Sequence, residues 1–395
     1  MSSEVIFGPG LPSLPEDLLL ARDQGRVLFV VGAGASYPKP TQLPDFGGLV
    51  AKIYDIVDPS MSSAMAAVSK KGGPKWDEVT DLLSHEQRTE LKFFCQREFD
   101  VVLGMLERRI DGDPSKESTM RRAATEVLSQ TIEPNPVHDA LVRLGQRYGQ
   151  TLLVTTNFDR LLSEAASKLR VQHEAFARGE IPNPSSSRDF GGILHIHGKL
   201  SWRKEKGSAL ILTDQDFGDS YLRRNLITSF LYDAARIFHI VLVGYSASDS
   251  PVRYLLNAIA ADERHFVDLK RRYAFVGCEP GDERMAVEWQ SRGITPIVYD
   301  KVDEHKALSD ILVRWADIIP DRRNEKATKS YLKKLAALDP DSTEGLAAQS
   351  FLRYYARRST PSEQADLARI LSGANRSPRW LTFLNRVIRD SGRGR

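Results

Sequence analysis

Cysteine is almost missing from this chain: Cys95 and Cys278 are the only two among 395 residues. Two thiols exclude a disulfide framework and a four-cysteine zinc site. Long apolar runs are missing as well. No stretch approaches the ~18 residues that a membrane-crossing helix needs. The N-terminal MSSEVIFGPGLPSLPED lacks a basic region leading into an apolar core, so no secretory leader is expected and a cytoplasmic location is. What the chain does have is an ordinary globular balance, 41% hydrophobic and 27% charged, and a length that suggests two or three domains.

The net charge of +3 is unevenly placed. From Arg353 to Arg395 there are ten arginines against Glu363, Asp366 and Asp390, giving +7 and leaving −4 for the rest. A basic end of this kind can meet nucleic acid or an acidic partner; it can equally be the solvated face of helices.

Apolar, β-branched runs bounded by turn residues predict strands at RVLFVVG (26–32), TLLVTT (151–156), GILHIHG (192–198), SALIL (208–212), IVLVGYS (240–246), RYAFVG (272–277) and ITPIVYD (294–300). Their near-continuous hydrophobicity fits strands buried on both faces of a parallel sheet. Helical patterns lie between them at 158–169, 220–237 and 250–263. The fold class expected is therefore α/β, a doubly wound parallel sheet. Two stretches break the alternation. Residues 46–148 read as a helical insertion after the first strand, and residues 303–395 as helices broken at Pro320, Pro340, Pro361 and Pro378.

The first strand runs into GAGAS, residues 32–36, where a phosphate-binding loop belongs. No lysine follows, which excludes the Walker loop, and Tyr37 stands where the third glycine of the dehydrogenase fingerprint would be. What remains is a loop in which Gly32 and Gly34 bring N–H groups near a pyrophosphate and Ser36 donates to an oxygen. TTNFD (155–159) places Asn157 and Asp159 at the carboxyl end of a strand, where open sheets bind ligands, although either residue could also cap the helix that follows. In LHIHG (194–198), His195 and His197 would share one face of a strand. No third ligand sits nearby for a metal, so one imidazole, with a pKa near neutrality, is expected to do proton work beside Gly198. GYSASD (244–249) ends another strand with Gly244 and Ser246, and Asp249 could cap the next helix.

GAGAS, PDF (44–46), TTNFD, HIHG (195–198) and GYSASD, in this order, resemble the sirtuin fold family, and more closely the sirtuin-like domains of bacterial anti-phage defence proteins. The likeness spans about residues 20–300 and implies NAD as the ligand. It implies that Gly32, Ala33, Gly34 and Ser36 lie over the pyrophosphate. Asn157 and Asp159 would face the nicotinamide ribose and carboxamide, and His197, which directly precedes the glycine, would be the catalytic histidine. Asp45 and Phe46 of the PDF motif and Gly244, Ser246 and Gly277 would complete the cofactor site, the last three toward the adenosine half. Two departures matter: deacylating sirtuins follow PDF with arginine where Gly47 stands, and they usually carry four zinc-binding cysteines.

The resemblance thus implies a NAD-binding domain over 1–302, with its insertion at about 47–148, and a helical domain over 303–395. It implies hydrolysis of NAD to nicotinamide and ADP-ribose without a metal. Asn157 would hold the ribose or the water, His197 the ribose hydroxyls and the proton, and Asp159 the carboxamide or the growing charge. NAD depletion in anti-phage defence would be the role, carried out by a homo-oligomer with a HerA-type ATPase as partner and no membrane. The alternatives are a NAD-dependent protein deacylase, a non-catalytic nucleotide sensor, and a nucleic-acid-binding effector using the basic C-terminus.

Overall fold

The computed structural model describes residues 4–69, 76–112, 118–129, 133–147, 150–176, 181–184, 191–200, 210–245, 269–319, 324–373 and 377–392. Seven strands form one sheet: β1 (Val27–Val31), β2 (Leu153–Thr155), β3 (Glu174–Phe176), β4 (Gly192–His195), β5 (His239–Val243), β6 (Arg272–Cys278) and β7 (Thr295–Asp300). Their order is β7-β6-β5-β1-β2-β4-β3. Parallel registers such as Val30 with Val154, Val154 with Leu194 and Val241 with Tyr273 mark the sheet as the α/β type expected. β1 is central because VLFVV has nothing polar to show water, and all five residues are buried. The expected strand at 208–212 is not one over its described part: residues 210–212 run without regular structure.

The chain divides into two compact units, and the division runs through β6 and β7. One unit holds 28–275 with 284–296. Its insertion consists, among the described residues, of seven helices: α2 (Phe46–Val57), α3 (Pro59–Val68), α4 (Trp76–Thr80), α5 (His85–Cys95), α6 (Phe99–Asp111), α7 (Thr119–Leu128) and α8 (Pro136–Leu144), α1 (Glu16–Asp23) lying before β1. Start signals explain several boundaries. Asp45 caps α2 by accepting from Gly48 N–H at 2.8 Å, and Ser84 and Asn135 form capping boxes at α5 and α8, the latter with Pro136 in the first turn. Val50, Ile53, Met61, Leu91, Val102 and Leu106 meet in the insertion's core. Burial of each such side chain contributes about 1.5–3 kcal/mol. Buried polarity is answered inside it: Tyr54 Oη donates to Glu90, and Arg109 bridges Glu90 and Asp58.

After the insertion come α9 (Leu161–Lys168), α10 (Asp214–Phe217) and α11 (Leu226–Ile237). The single helix expected over 220–237 is interrupted: a wide π-type turn covers Gly218–Arg223, and Asn225 takes a left-handed φ of 52° before α11 starts. The helical pattern at 250–263 lies outside the described residues.

The other unit gathers residues 1–27, 276–283 and 297–395. Beyond α12 (Arg284–Ser291, of the first unit), it contains α13 (Lys306–Asp317), α14 (Glu325–Ala336), α15 (Thr343–Arg358), α16 (Pro361–Leu371) and α17 (Arg379–Gly392). Pro361 and Pro378 stand at helix starts as anticipated, whereas Pro320 is outside the described residues. The N-terminal segment is part of this unit because it supplies acceptors and an aromatic ring. Tyr331 Oη donates to Phe7 O at 2.7 Å, Tyr354 Oη to Asp23 at 2.8 Å, and the Phe7 and Phe351 rings meet edge-on at 5.6 Å. Of the apolar residues at helical spacing in α17, Trp380, Leu384 and Val387 are buried, Leu381 is half-buried and Ile388 is exposed; Trp380 Nε1 donates to Leu338 O.

Candidate active site at the strand ends

Four adjacent strands, β5, β1, β2 and β4, deliver their carboxyl ends to one place in the first unit. From β1 the chain enters Gly32 and a tight turn at Ala33–Ser36. Beside it the β5 loop passes through Gly244, which has a φ of +75°. The two loops interlock: Gly32 N–H donates to Val243 O at 2.8 Å and Gly34 N–H to Gly244 O at 2.9 Å. Here the structure departs from the expected role of these glycines. Their N–H groups are engaged with the neighbouring loop and are not turned to a phosphate. What the glycines provide is closeness, since a Cβ on Gly32 would stand 2.7 Å from Gly244 O, and one on Gly244 only 2.4 Å from Ala35 N.

Ser36 is also differently occupied. Its Oγ lies 3.0 Å from His138 Nε2, donates to Asp159 Oδ2 at 3.3 Å and accepts from Asn157 Nδ2 at 3.3 Å. Asn157 Nδ2 also donates to Gly32 O, so its amide orientation is fixed by a carbonyl that can only accept. Asp159 Oδ1 accepts from the N–H of Leu161, the first residue of α9, at 3.0 Å, and Asp159 also lines a cavity. Protein surrounds it on the other sides, and burial raises its pKa to about 6 against the opposing pull of Leu161 N–H and Ser36.

β4 ends at His195, and Ile196 and His197 form a turn, so the two histidines do not share a strand face as expected. His195 Nδ1 donates to Asn157 O at 3.0 Å and thereby holds the Asn157 backbone. His197 lines the cavity, with Nε2 2.7 Å from Tyr221 Oη and the Phe217 ring edge-on at 5.2 Å. Burial lowers the pKa of His195 to about 4 and of His197 to about 3, so both imidazoles are neutral at physiological pH. That corrects the expectation of an imidazole titrating near neutrality: no acid partner balances the desolvation.

The cavity measures about 70 Å³, and Ala33, Ser36, Asp45, Phe46, Asn157, Asp159 and His197 are brought together around it. Asn157, Asp159 and His197 are among its polar lining residues, and Leu43, Phe158 and Ile211 among its apolar ones. Phe46 packs edge-on to Phe99 at 6.2 Å. Gly47 faces the same ring, and a Cβ there would come within 2.7 Å of Phe99 Cζ. Gly277 belongs to the other unit, beside Tyr299 and His305, and Ser246 and Asp249 lie outside the described residues. Sequence reading missed His138, Phe217, Tyr221 and Tyr245. Two of them left a signal: His138 as the fourth residue of the N-P-V-H capping box, and Tyr245 as the second residue of GYSASD. Among the described residues no group of three or more His, Cys, Asp or Glu side chains could hold a metal, and no helix is long and apolar enough to cross a membrane.

Residues 151–297 match the family model of the SIR2-like domain, a stretch that contains Asn157, Asp159, His197 and Gly244. Among curated proteins the chain is 33% identical over 304 residues to the "Uncharacterized protein y4cA" of Sinorhizobium fredii, covering 74% of this chain and 22% of that protein. It is 23% identical over 192 residues to "Defense-associated sirtuin 2" of Bacillus subtilis, covering 45% and 18%. The chain thus spans about a fifth of the length of the curated relatives it matches. A solved Sir2 enzyme structure aligns over 78% of this chain and 98% of its own, with a TM-score of 0.39 and 14% identity.

Proposed function

We propose that the SIR2-like unit hydrolyses NAD to nicotinamide and ADP-ribose. One observation carries this reading: Asn157, Asp159 and His197, from two different strand ends, converge on a single cavity with an apolar wall. A flat aromatic ring bearing a carboxamide, joined to a hydroxyl-rich sugar, has the matching chemistry. The bond that breaks joins the anomeric carbon to the nicotinamide nitrogen, and the ring leaves as a neutral molecule with the bonding pair. Water attacks the oxocarbenium-like carbon, and its proton passes to a base and then to solvent. The Asp159 carboxylate is the better base near neutral pH, and it also stabilises the positive charge. Neutral His197 hydrogen-bonds the ribose hydroxyls, and the Asn157 carbonyl oxygen holds the ribose or the water.

Deacylation is the weaker reading, because Phe99 occupies the space that a side chain at Gly47 would need. The relative named a defense-associated sirtuin supports a role in defence, for which we propose NAD depletion against phage as the means. We further propose assembly into a homo-oligomer with a HerA-type ATPase as partner. Since Trp380, Leu384 and Val387 of α17 are already buried in their own unit, such contacts, or contacts to nucleic acid, fall to exposed residues such as Ile388, Arg386 and Arg389. The test is to incubate the purified chain with NAD and follow nicotinamide, with and without an acetylated peptide. Peptide-independent release, reduced at least ~10²-fold in Asn157→Ala and His197→Ala, is expected. Release that requires the peptide, or wild-type turnover in both variants, would overturn the proposal.

A further inference from the structure

His138 lies outside every motif that marks the site, yet it is fully buried and bonded to the centre of it. Its two ring nitrogens have different partners. Nδ1 faces Asn135 N–H at 3.1 Å, and that amide can only donate, so Nδ1 is the acceptor. Burial keeps the ring neutral, with a pKa lowered to about 3. The single proton therefore sits on Nε2 and is donated to Ser36 Oγ at 3.0 Å. Ser36 Oγ also accepts from Asn157 Nδ2. With both acceptor positions filled, its own hydrogen goes to Asp159 Oδ2.

We propose that His138 is a positioning residue: the capping box of α8 fixes its tautomer, and that tautomer fixes the Ser36 hydroxyl as a donor to Asp159. The role of Asp159 in chemistry rests on the NAD reading above; the orientation of the Ser36 hydroxyl does not. Sequence distance hides the link, since 102 residues separate His138 from Ser36. The N–H of a neutral imidazole is well suited to the task. It cannot reverse to accept, as a hydroxyl could, so Ser36 has one direction left for its proton. Around Asp159 the other groups are Leu161 N–H and Asn157, which favour its ionised form, and Glu164 of α9, which disfavours it.

The test replaces His138 by leucine, which has no donor, and by glutamine, whose side-chain amide can donate from the Nε2 position. Two quantities are read in the full chain. One is the midpoint of Asp159 protonation, followed by the carbonyl stretch of its acid form and assigned by difference with Asp159→Asn. The other is the pH profile of nicotinamide release. His138→Leu should move both midpoints to higher pH and lower kcat about tenfold with little change in KM, while His138→Gln should stay close to wild type. If His138→Leu does not fold, His138→Met, equally without a donor, is read in its place and should give the same upward shift of the infrared midpoint. An infrared midpoint unmoved in a folded His138→Leu or His138→Met protein overturns the proposal. An infrared shift with no NAD cleavage in any protein, wild type included, upholds it and overturns the NAD reading instead.

Discussion

Burial acts on Asp159 and His197 in opposite directions, and the chemistry follows from that contrast. Desolvation raises the carboxyl to about 6 and lowers the imidazole to about 3. The histidine cannot then be a strong base at neutral pH, but the carboxylate can. If Asp159 accepts the proton and faces the growing charge, it must be ionised, so activity is present above pH 6 and lost as the pH falls through it. A profile of kcat/KM for nicotinamide release should show this acid limb near pH 6 in wild type. Asp159→Asn should lower the rate at least ~10²-fold and remove the limb. A limb that persists in that variant belongs to another group. Asn157, Asp159 and His197 were legible as motif residues. The protonation states were not, because they depend on how much protein surrounds each group.

At the scale of elements, the site is held by loops that touch more closely than side chains allow. Gly244 has a positive φ and faces Ala35 N, so a methyl group there meets both backbone strain and a clash. Gly244→Ala should destabilise the protein by about 1–3 kcal/mol, read as a lower denaturant midpoint, and should reduce nicotinamide release more than it reduces stability. The glycine pattern was readable in GAGAS and GYS, but not that the Gly32 and Gly34 N–H groups are engaged by the neighbouring loop. A sequence shows which loop can come close, but not whether its partner is a phosphate or another loop. Segment 210–221 gives the same lesson. Its wrap around His197, through Ile211 N–H to His197 O, the Phe217 ring and Tyr221 Oη, has no local pattern. Arg121 of the insertion holds that segment by donating to Leu210 O and Asp216.

Over the whole molecule, three buried neutral histidines set a common response to acid. His138, His195 and His197 have pKa values lowered to about 3, 4 and 3 from an unfolded value near 6.5. The unfolded chain therefore binds their protons first, and the stability present above pH 6.5 is lost as the pH falls toward 3. Each histidine costs about 2 kcal/mol at pH 5. Asp159 works against this, since its raised pKa favours the folded form by about 1 kcal/mol on going from pH 7 to pH 5. The net loss of about 5 kcal/mol reaches the lower end of the whole stability of a domain. Chemical denaturation at pH 7 and pH 5 should register it, and His195→Asn should lessen the difference. Equal stability at the two pH values would mean that the histidines are solvated in the folded protein.

The sequence by itself determined the class of the sheet, the helical nature of the insertion and of the C-terminal part, and the motif residues of the site. These depend on short-range properties: runs of β-branched residues, caps, proline and glycine. It also located the strand ends closely enough to place Asn157, Asp159 and His197 on one side of the sheet. Only the tertiary structure decided that residues 1–27 pack with the C-terminal helices, that Phe99 fills the space beside Gly47, and that His138 and Tyr221 are the partners of Ser36 and His197. Each of these is a contact between segments far apart in the chain. Such contacts are fixed by the packing of already formed elements, and that packing leaves no periodic trace in the residues it joins.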